Sequence, residues 1–393
     1  MRILFTFAFH ILICLSLCAQ ARVSLLTCAP GSEVFELEGH SGLRLQSPET
    51  GDVTVNWGIF DFNSPNFIYR FVKGETDYSI GECQTDLFLY QYRYYGREVT
   101  EQVLNLTDAE AREVIRLVEE NLRPGNRIYR YNYVKDNCAT RCFEIVERAV
   151  GDTITFGETP AEISDSPTFR RVMAYYHDHY PWYQFGIDLA LGSGIDREIS
   201  TRETAFAPVV LEQLAASARV GNRPLVTETH ILVEGRPGGV VLPATPFYLS
   251  PLWWGWIFFC VALLVTVVDV RRRRPTRLFD TVVYAAEGTA GLILTFLIFV
   301  SVHEATSPNW LYLWLNPLVF LPAVGIWLKK AKNMVFCYQI VNFVALLVLL
   351  VIGAVGLQSL NAAFYPLILS GLLRAYTYIY LWRNTRKPSS EAR

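Results

Sequence analysis

The chain has almost no net charge: Lys and Arg total 35 and Asp and Glu total 37 over 393 residues, a formal charge of −2. These totals carry no basic footprint for nucleic acid. Histidine is scarce, at 6 residues, so a catalytic imidazole has few possible sources. Cysteine is also sparse, at 8 residues, with no ladder of paired cysteines. The C-x-x-C spacing typical of zinc sites is missing as well. The length is too great for one ordinary small domain, so at least two folding units are expected.

Apolar residues, by contrast, make up 51% of the chain, and they concentrate at its two ends. Residues 1–21 carry Arg2, an apolar stretch over 3–17, and Ala19-Gln20-Ala21. That is the pattern of a cleavable secretory signal, with the mature chain starting at Arg22. The rival reading is a lipoprotein signal at Cys18, but a bulky Leu17 precedes it.

Five further apolar runs follow Pro251, over 252–270, 281–301, 311–327, 335–356 and 364–382. Each is near the ~20 residues that cross a hydrocarbon core. The third is the shortest and contains Asn316, Pro317 and Pro322. Basic clusters follow the first run (Arg271 to Arg274, Arg277), the third (Lys329, Lys330, Lys332) and the fifth (Arg383, Arg386, Lys387). The alternate loops, 302–310 and 357–363, hold no Lys or Arg. The positive-inside rule then places 22–246 outside the cytoplasm and the tail 383–393 within it. Trp253, Trp254 and Trp256 fit an outer interfacial belt. The expected plan is signal 1–21, exported domain 22–246, and an all-α five-helix transmembrane bundle over 252–382.

The exported part mixes strand and helix signals, which reads as α+β. Strands are expected over 34–45 and 53–62, with turn residues between them. Part of 78–94 and the stretch 127–134 also read as strand. Thr107 and Glu110 have capping-box spacing for a helix that ends before Pro124-Gly125-Asn126. Asp136 or Asn137 caps a second helix running to about Val150. Helices are expected near 168–176 and 211–218, and a hairpin over 223–242 turning at Arg236 to Gly239.

Four cysteines fall in the exported part: Cys28, Cys83, Cys138 and Cys142. An oxidising compartment permits a bridge, and Cys28–Cys83 is the preferred pair because it leaves Cys138 free. Cys142 lies one helical turn beyond Cys138. Cys260 and Cys337 lie in apolar runs and read as small core residues. A helix N-terminus lowers a thiol's pKa, and its amides can hold an oxyanion. Cys138 occupies that position. It reads either as a nucleophile or as a buried structural cysteine, alone or bridged to Cys142 or Cys28.

The exported histidines are His40, His177, His179 and His230. His177 and His179 read as part of a surface loop, and His230 as part of an outer hairpin. His40, between Gly39 and Gly42 on a strand, is the candidate base. Folding 48–51 as a turn brings Asn56 near it, to orient the imidazole. A one-residue slip would turn Asn56 away.

Gly39-His40-Ser41, Val55-Asn56-Trp57-Gly58 and Asn105-Leu106-Thr107 resemble the periplasmic domain of the Lnb-type bacterial lipoprotein N-acyltransferases. So does Tyr131-Asn132-Tyr133 leading into Asp136-Asn137-Cys138-Ala139-Thr140-Arg141. The resemblance spans about 24–208, and the membrane tail matches that family's layout. A histidine strand preceding a cysteine helix also resembles the permuted NlpC/P60-like (papain-like) thiol fold, an analogy of arrangement that leaves the reaction open.

The resemblance implies an enzyme of the bacterial inner membrane. Cys138 would take an acyl chain from a membrane phospholipid as a thioester. His40 would deprotonate the thiol, then assist attack by the α-amino group of a diacylglyceryl-modified lipoprotein cysteine. Asn56 would orient His40, and amides around Cys138 would hold the oxyanion. No metal, nucleotide or other cofactor is called for, because the ester donor carries its own activation. Two other readings stay open. One is a membrane-anchored NlpC/P60-like cysteine peptidase or amidase of the cell envelope. The other is a non-enzymatic envelope scaffold whose 14% aromatic content forms a binding surface.

In the membrane part, Glu287 and Arg374 are expected to pair, or Arg374 to snorkel to the interface. His303, Glu304 and Asn316 lie toward the outer face, as headgroup contacts or as ordinary interfacial polar residues.

Overall fold

The computed structural model describes residues 21–151 and 153–386. The expected signal lies outside them except for Ala21, as does the tail from 387. The chain forms two compact units. One takes the described residues up to Tyr176 together with Glu198–Leu242; the other takes His177–Arg197 and the described residues from Pro243 onward.

The first unit is built on strands β1 (Arg22–Cys28), β2 (His40–Ser47), β3 (Gly51–Ile59), β4 (Asp77–Gln84), β5 (Val99–Leu104) and β6 (Ile128–Arg130). The short β7 (Ile154–Thr155), β8 (Arg219–Val220) and β9 (Arg223–Pro224) form a separate small sheet, and β10 (Val226–Val233) returns to the large one. Helices in order are α1 (Phe67–Lys73), α2 (Thr85–Tyr95), α3 (Asp108–Leu122), α4 (Cys138–Val150) and α5 (Phe169–Tyr176). Next come α6 (Pro181–Ala190), which belongs to the second unit, then α7 (Thr201–Thr204) and α8 (Pro208–Ser217).

The large sheet has seven antiparallel strands in the order β10-β5-β1-β2-β3-β4-β6. β1 lies inside it, and Leu25 and Leu26, adjacent and facing opposite ways, are both buried. The unbroken burial from Val23 to Cys28, Ser24 and Thr27 included, follows from cover on both faces. α4 packs on β2 and β3, and α8 on β1, β2 and β10. The capping box of α3 is present. Thr107 Oγ1 accepts from Glu110 N at 3.3 Å, and Glu110 Oε2 accepts from Thr107 N at 2.7 Å. Such a cap contributes about 1 kcal/mol.

Several expectations are corrected. β2 begins at His40, not Val34, and Val34 and Phe35 are exposed. Only 77–84 of the aromatic stretch is strand; from Thr85 it is helix α2, burying Phe88, Leu89 and Tyr92 on one side. β6 stops at Arg130 because Asn132 Oδ1 accepts from Val134 N and Lys135 N, which turns the chain. The expected hairpin over 223–242 does not form: Arg223–Pro224 is β9, paired with β8, and Val226–Val233 is β10, which pairs with β5 instead of with the residues after the Arg236–Gly239 turn. Cys28 and Cys83 are both free thiols. They sit on β1 and β4, three strand positions apart. That is about 14 Å, twice the reach of a disulfide.

In the second unit, three helices are long and apolar enough to cross a membrane: Pro251–Arg272, Arg277–Phe299 and Lys329–Ala354. They are α9 (Pro251–Arg272), α10 (Arg277–Phe299) and, after the short α11 (Phe320–Gly325), α12 (Lys332–Ala354) preceded by the turn Lys329–Ala331. The expected span over 311–327 is not one helix. It breaks into 3-10 turns at Trp310–Leu313 and Pro317–Val319, followed by α11. Asn316 Oδ1 accepts from Leu318 N at 3.1 Å, and Pro317 and Pro322 lack the donors a continuous helix needs. The last expected span is a helix, α13 (Phe364–Arg386), made more polar by Arg374, Thr377 and its tyrosines.

Arg374 does not pair with Glu287, nor does it snorkel. It is 4% exposed and donates to Asp269 at 2.6 Å, to Asp280 at 2.8 and 3.0 Å, and to Thr266 at 3.0 Å. Glu287 instead accepts from Trp314 Nε1 at 2.9 Å.

Candidate active site

Cys138 is the first residue of α4, and its place is set by Asn137. Asn137 Oδ1 accepts from Thr140 N at 3.0 Å, while Asn137 N donates to Thr140 Oγ1 at 2.8 Å. Its amide nitrogen donates to the carbonyls of Tyr133 and Phe206, both at 2.8 Å. Asn137, not Asp136, is therefore the cap. Asp136 pairs with Arg141, whose guanidinium lies 3.7 Å from the centre of the Tyr129 ring. Every polar atom of the Asn137 side chain is engaged, so the start of α4 is rigidly held.

The backbone N–H groups of Ser41, Ala139 and Cys138 itself lie near the Cys138 sulfur and favour its charged form. The first comes from β2, one residue beyond His40. Sulfur and imidazole thus belong to one local arrangement, although about a hundred residues separate them in the chain. Gly39 starts that strand with a φ of +83°, and a Cβ there would lie 2.6 Å from the Cys28 carbonyl. Only glycine turns the chain so tightly at this point.

His40 pairs across β1 with Cys28, and Asn56 pairs across β2 with Gly42. His40 and Gly42 share a face of β2, so Asn56 reaches His40 along the sheet diagonal. The two side chains are hydrogen-bonded. A Cβ at Gly42 would sit 3.0 Å from the Val55 carbonyl and 3.5 Å from Asn56 Cβ, crowding that reach.

Burial sets the charge state. It pushes the Cys138 thiol up to about 11, aided by the nearby Glu38 charge, against the pull of the three N–H donors. The lowering expected from the helix terminus is outweighed by loss of water. Burial and the Arg97 charge push His40 down to about 4, against its hydrogen bond to Asn56. The resting pair is a neutral thiol and a neutral imidazole.

Cys28 and Cys142 are buried close by, each near enough that the Cys138 charge raises its pKa. All are free thiols, so Cys138 carries no bridge. His177 is fully buried in the second unit, contrary to its surface-loop reading, with Nδ1 2.8 Å from Gln184 Oε1. His230 is exposed on β10, 3.0 Å from Glu228.

Two neighbours went unremarked as site residues. Glu38 is 8% exposed, accepts a hydrogen bond from the Tyr133 side chain and faces Cys138. Tyr131 stacks on Tyr78 at 4.5 Å, covers Gly58, and lies close enough to Cys138 to sense its charge. The available signal was position: Glu38 stands two residues before His40, and Tyr131 and Tyr133 precede the cysteine.

Two family models match the chain. One, described as the Lnb N-terminal periplasmic domain, covers residues 18–173; the other, the Lnb transmembrane domain, covers residues 244–386. Cys138, His40 and Asn56 all fall within the first. No curated protein and no solved structure matches.

Proposed function

The chain belongs to the Lnb-type lipoprotein N-acyltransferase family, and on that premise we propose that Cys138 carries an acyl group from phospholipid to lipoprotein. Family membership makes the protein a membrane enzyme of lipoprotein modification with a periplasmic N-terminal part. No match supports the envelope-peptidase reading.

In the proposed first step His40 takes the thiol proton as Cys138 Sγ attacks a phospholipid ester carbonyl. The S–C bond forms, the ester C–O bond breaks, and His40 returns the proton to the departing glycerol oxygen. In the second step the α-amino group of a diacylglyceryl-modified cysteine attacks the thioester. The C–N bond forms, the C–S bond breaks, and sulfur regains a proton through His40. Asn56 keeps the imidazole oriented, and the amides of Cys138 and Ala139 receive the tetrahedral oxyanion. The fold of this unit would follow the permuted NlpC/P60-like order of histidine strand then cysteine helix. Five spans over 252–382, with the basic tail 383–393 in the cytoplasm, would complete the inner-membrane topology.

The observation that carries this reading is the Ser41 N–H on the Cys138 sulfur, with its neighbour His40 held by Asn56. The test is expression in cells lacking other N-acylation, with lipoprotein N-terminal peptides weighed by mass spectrometry. A gain of one acyl mass, absent with Cys138→Ser, is expected. An unchanged diacyl mass in the presence of the folded wild-type protein overturns the proposal.

A further inference from the structure

The first unit carries an apolar surface that its own core does not use. Helix α1 buries none of its residues. Ile68 on it is 77% exposed and Phe71 47%, and Phe62, just before it, is 59% exposed. Phe35, in the loop between β1 and β2, is 56% exposed. The rings here form one connected cluster. Centre to centre, Phe35 and Phe60 lie 6.2 Å apart, Phe60 and Phe62 4.6 Å, Phe62 and Phe67 5.2 Å, and Phe67 and Phe71 5.8 Å. A contiguous exposed patch of this kind marks a surface built to be covered.

Its place in the fold identifies the cover. β2 and β3 are antiparallel with Gly42 opposite Asn56, so the start of β2 at His40 and the end of β3 at Ile59 share one end of the sheet. The cluster is built on the chain just before the one and just after the other. It also runs inward. Phe60 lies 5.2 Å from Tyr78, Tyr78 stacks on Tyr131 at 4.5 Å, and the Tyr131 ring covers Gly58, two residues from Asn56. A continuous aromatic path thus joins the exposed rings to the strand that carries Asn56. The charges at the rim are matched in pairs: Arg70 with Asp77 at 2.7 Å, Lys73 with Glu75 at 2.8 Å, and Arg130 with Asp77 at 3.0 Å. Paired charges around aromatic rings complement a zwitterionic headgroup layer, where such rings settle at the interface. Only residues 243–250 separate Leu242 from α9, which is long and apolar enough to cross a membrane, so the chain brings its own bilayer on a short tether. A folded protein seated on the rings would close the end of the sheet where, on the acyl-enzyme reading, the phospholipid has to arrive.

We infer that the surface made by Phe35, Phe60, Phe62, Phe67, Ile68 and Phe71 enters the phospholipid layer, and that a donor lipid's acyl chain lies along these rings with its ester toward His40 and Asn56. The lipid contact stands by itself; delivery of the ester rests on the acyl-enzyme reading above.

The experiment uses the full chain in phosphatidylcholine vesicles containing a phosphatidylcholine with a diazirine on its acyl chain. Irradiation, digestion and mass spectrometry then map the adducts. Adducts are expected within residues 59–71, alongside those on α9, which serve as the internal standard. The double variant Phe62→Ser, Ile68→Asp changes two exposed positions. It should lower the 59–71 adducts about tenfold or more relative to α9, because most of the transfer free energy of both side chains is lost. Loading of Cys138 from vesicle lipid should fall by a similar factor relative to loading from a soluble short-chain ester. Adducts confined to the membrane helices overturn the inference, as do cross-links between the 59–71 segments of two copies in place of lipid adducts. Equal loss of loading from lipid and from the soluble ester overturns the delivery route. If wild type gives the adducts but never loads Cys138, the acyl-enzyme reading falls and the lipid-facing surface stands.

Discussion

The backbone N–H of Ser41 on β2 lies near enough to the sulfur of Cys138 on α4 to favour its thiolate. That single contact joins the histidine strand to the cysteine helix. On the proposed acyl-enzyme reaction, the local geometry of β2 governs how readily the thiol is activated. His40→Ala should lower thioester formation by about 10²- to 10⁴-fold, the usual worth of a positioned base. Radiolabel on Cys138 in a single turnover measures this. Undiminished loading would remove His40 from the reaction.

Asn56→Ala should leave phospholipid KM unchanged and lower kcat by about 10- to 100-fold, the cost of misaligning a catalytic group. Gly42→Val should reproduce that loss through crowding, since a Cβ there already lies 3.0 Å from the Val55 carbonyl and touches Asn56 Cβ at 3.5 Å, leaving the branched methyls no room. Initial rates across a lipid titration separate the two parameters. An effect on KM alone would contradict an orienting role.

His40 and Glu38 shape stability against pH in opposite senses. The folded His40 pKa, about 4, lies below its ordinary 6.5. The unfolded chain therefore binds more protons as pH falls, and stability is lost between about 6.5 and 4. Glu38, raised from 4.5 to about 7, contributes fully below 4.5 and loses its contribution as pH rises through 7. Denaturant unfolding at stepped pH should show His40→Gln flattening the acid limb and Glu38→Gln the neutral limb. Parallel curves for wild type and both variants would refute the assignment.

Arg374→Met strands two buried carboxylates, Asp269 and Asp280, and should destabilise the protein by about 3–5 kcal/mol. Replacing all three together (R374M, D269N, D280N) should recover much of that loss. Unfolding in detergent measures both, and equal instability of the single and triple variants would sink the argument.

Asn137→Ala removes the cap of α4 and leaves two carbonyls without their donor. A loss of about 2 kcal/mol is expected, with slower Cys138 loading. Thermal unfolding and the loading assay should move together; stability changing alone would detach the cap from the chemistry.

Local structure was readable from the residue order. The capping box at Thr107, the α4 start at Asn137-Cys138, and the β2–β3 pairing that joins Asn56 to His40 all depend on neighbours in the chain or across one turn. Long-range relations were not. Nothing near β1 announces that β5 lies beside it, or that β10, over a hundred residues on, completes that edge. Arg374 looked suited to Glu287 because Asp269 and Asp280 lie toward helix ends, where charges ordinarily face water. Glu38 was passed over because a carboxylate beside a strand start is usually solvated; its burial arises from helix α8 and Tyr133 folding over it. The effect on the Cys138 thiol was misjudged for a related reason. A helix terminus is visible in a sequence, and exclusion of water is not.

Asn137 ties the helix that begins at Cys138 to the Phe206 carbonyl, 69 residues downstream. Anyone trimming the gene product to the segment that ends at residue 173 would cut that tether and strip β10 from the sheet. Such a fragment would keep Cys138, His40 and Asn56 and still present the thiol on a frayed helix, so silence from it in an assay would indict the scissors, not the proposed chemistry.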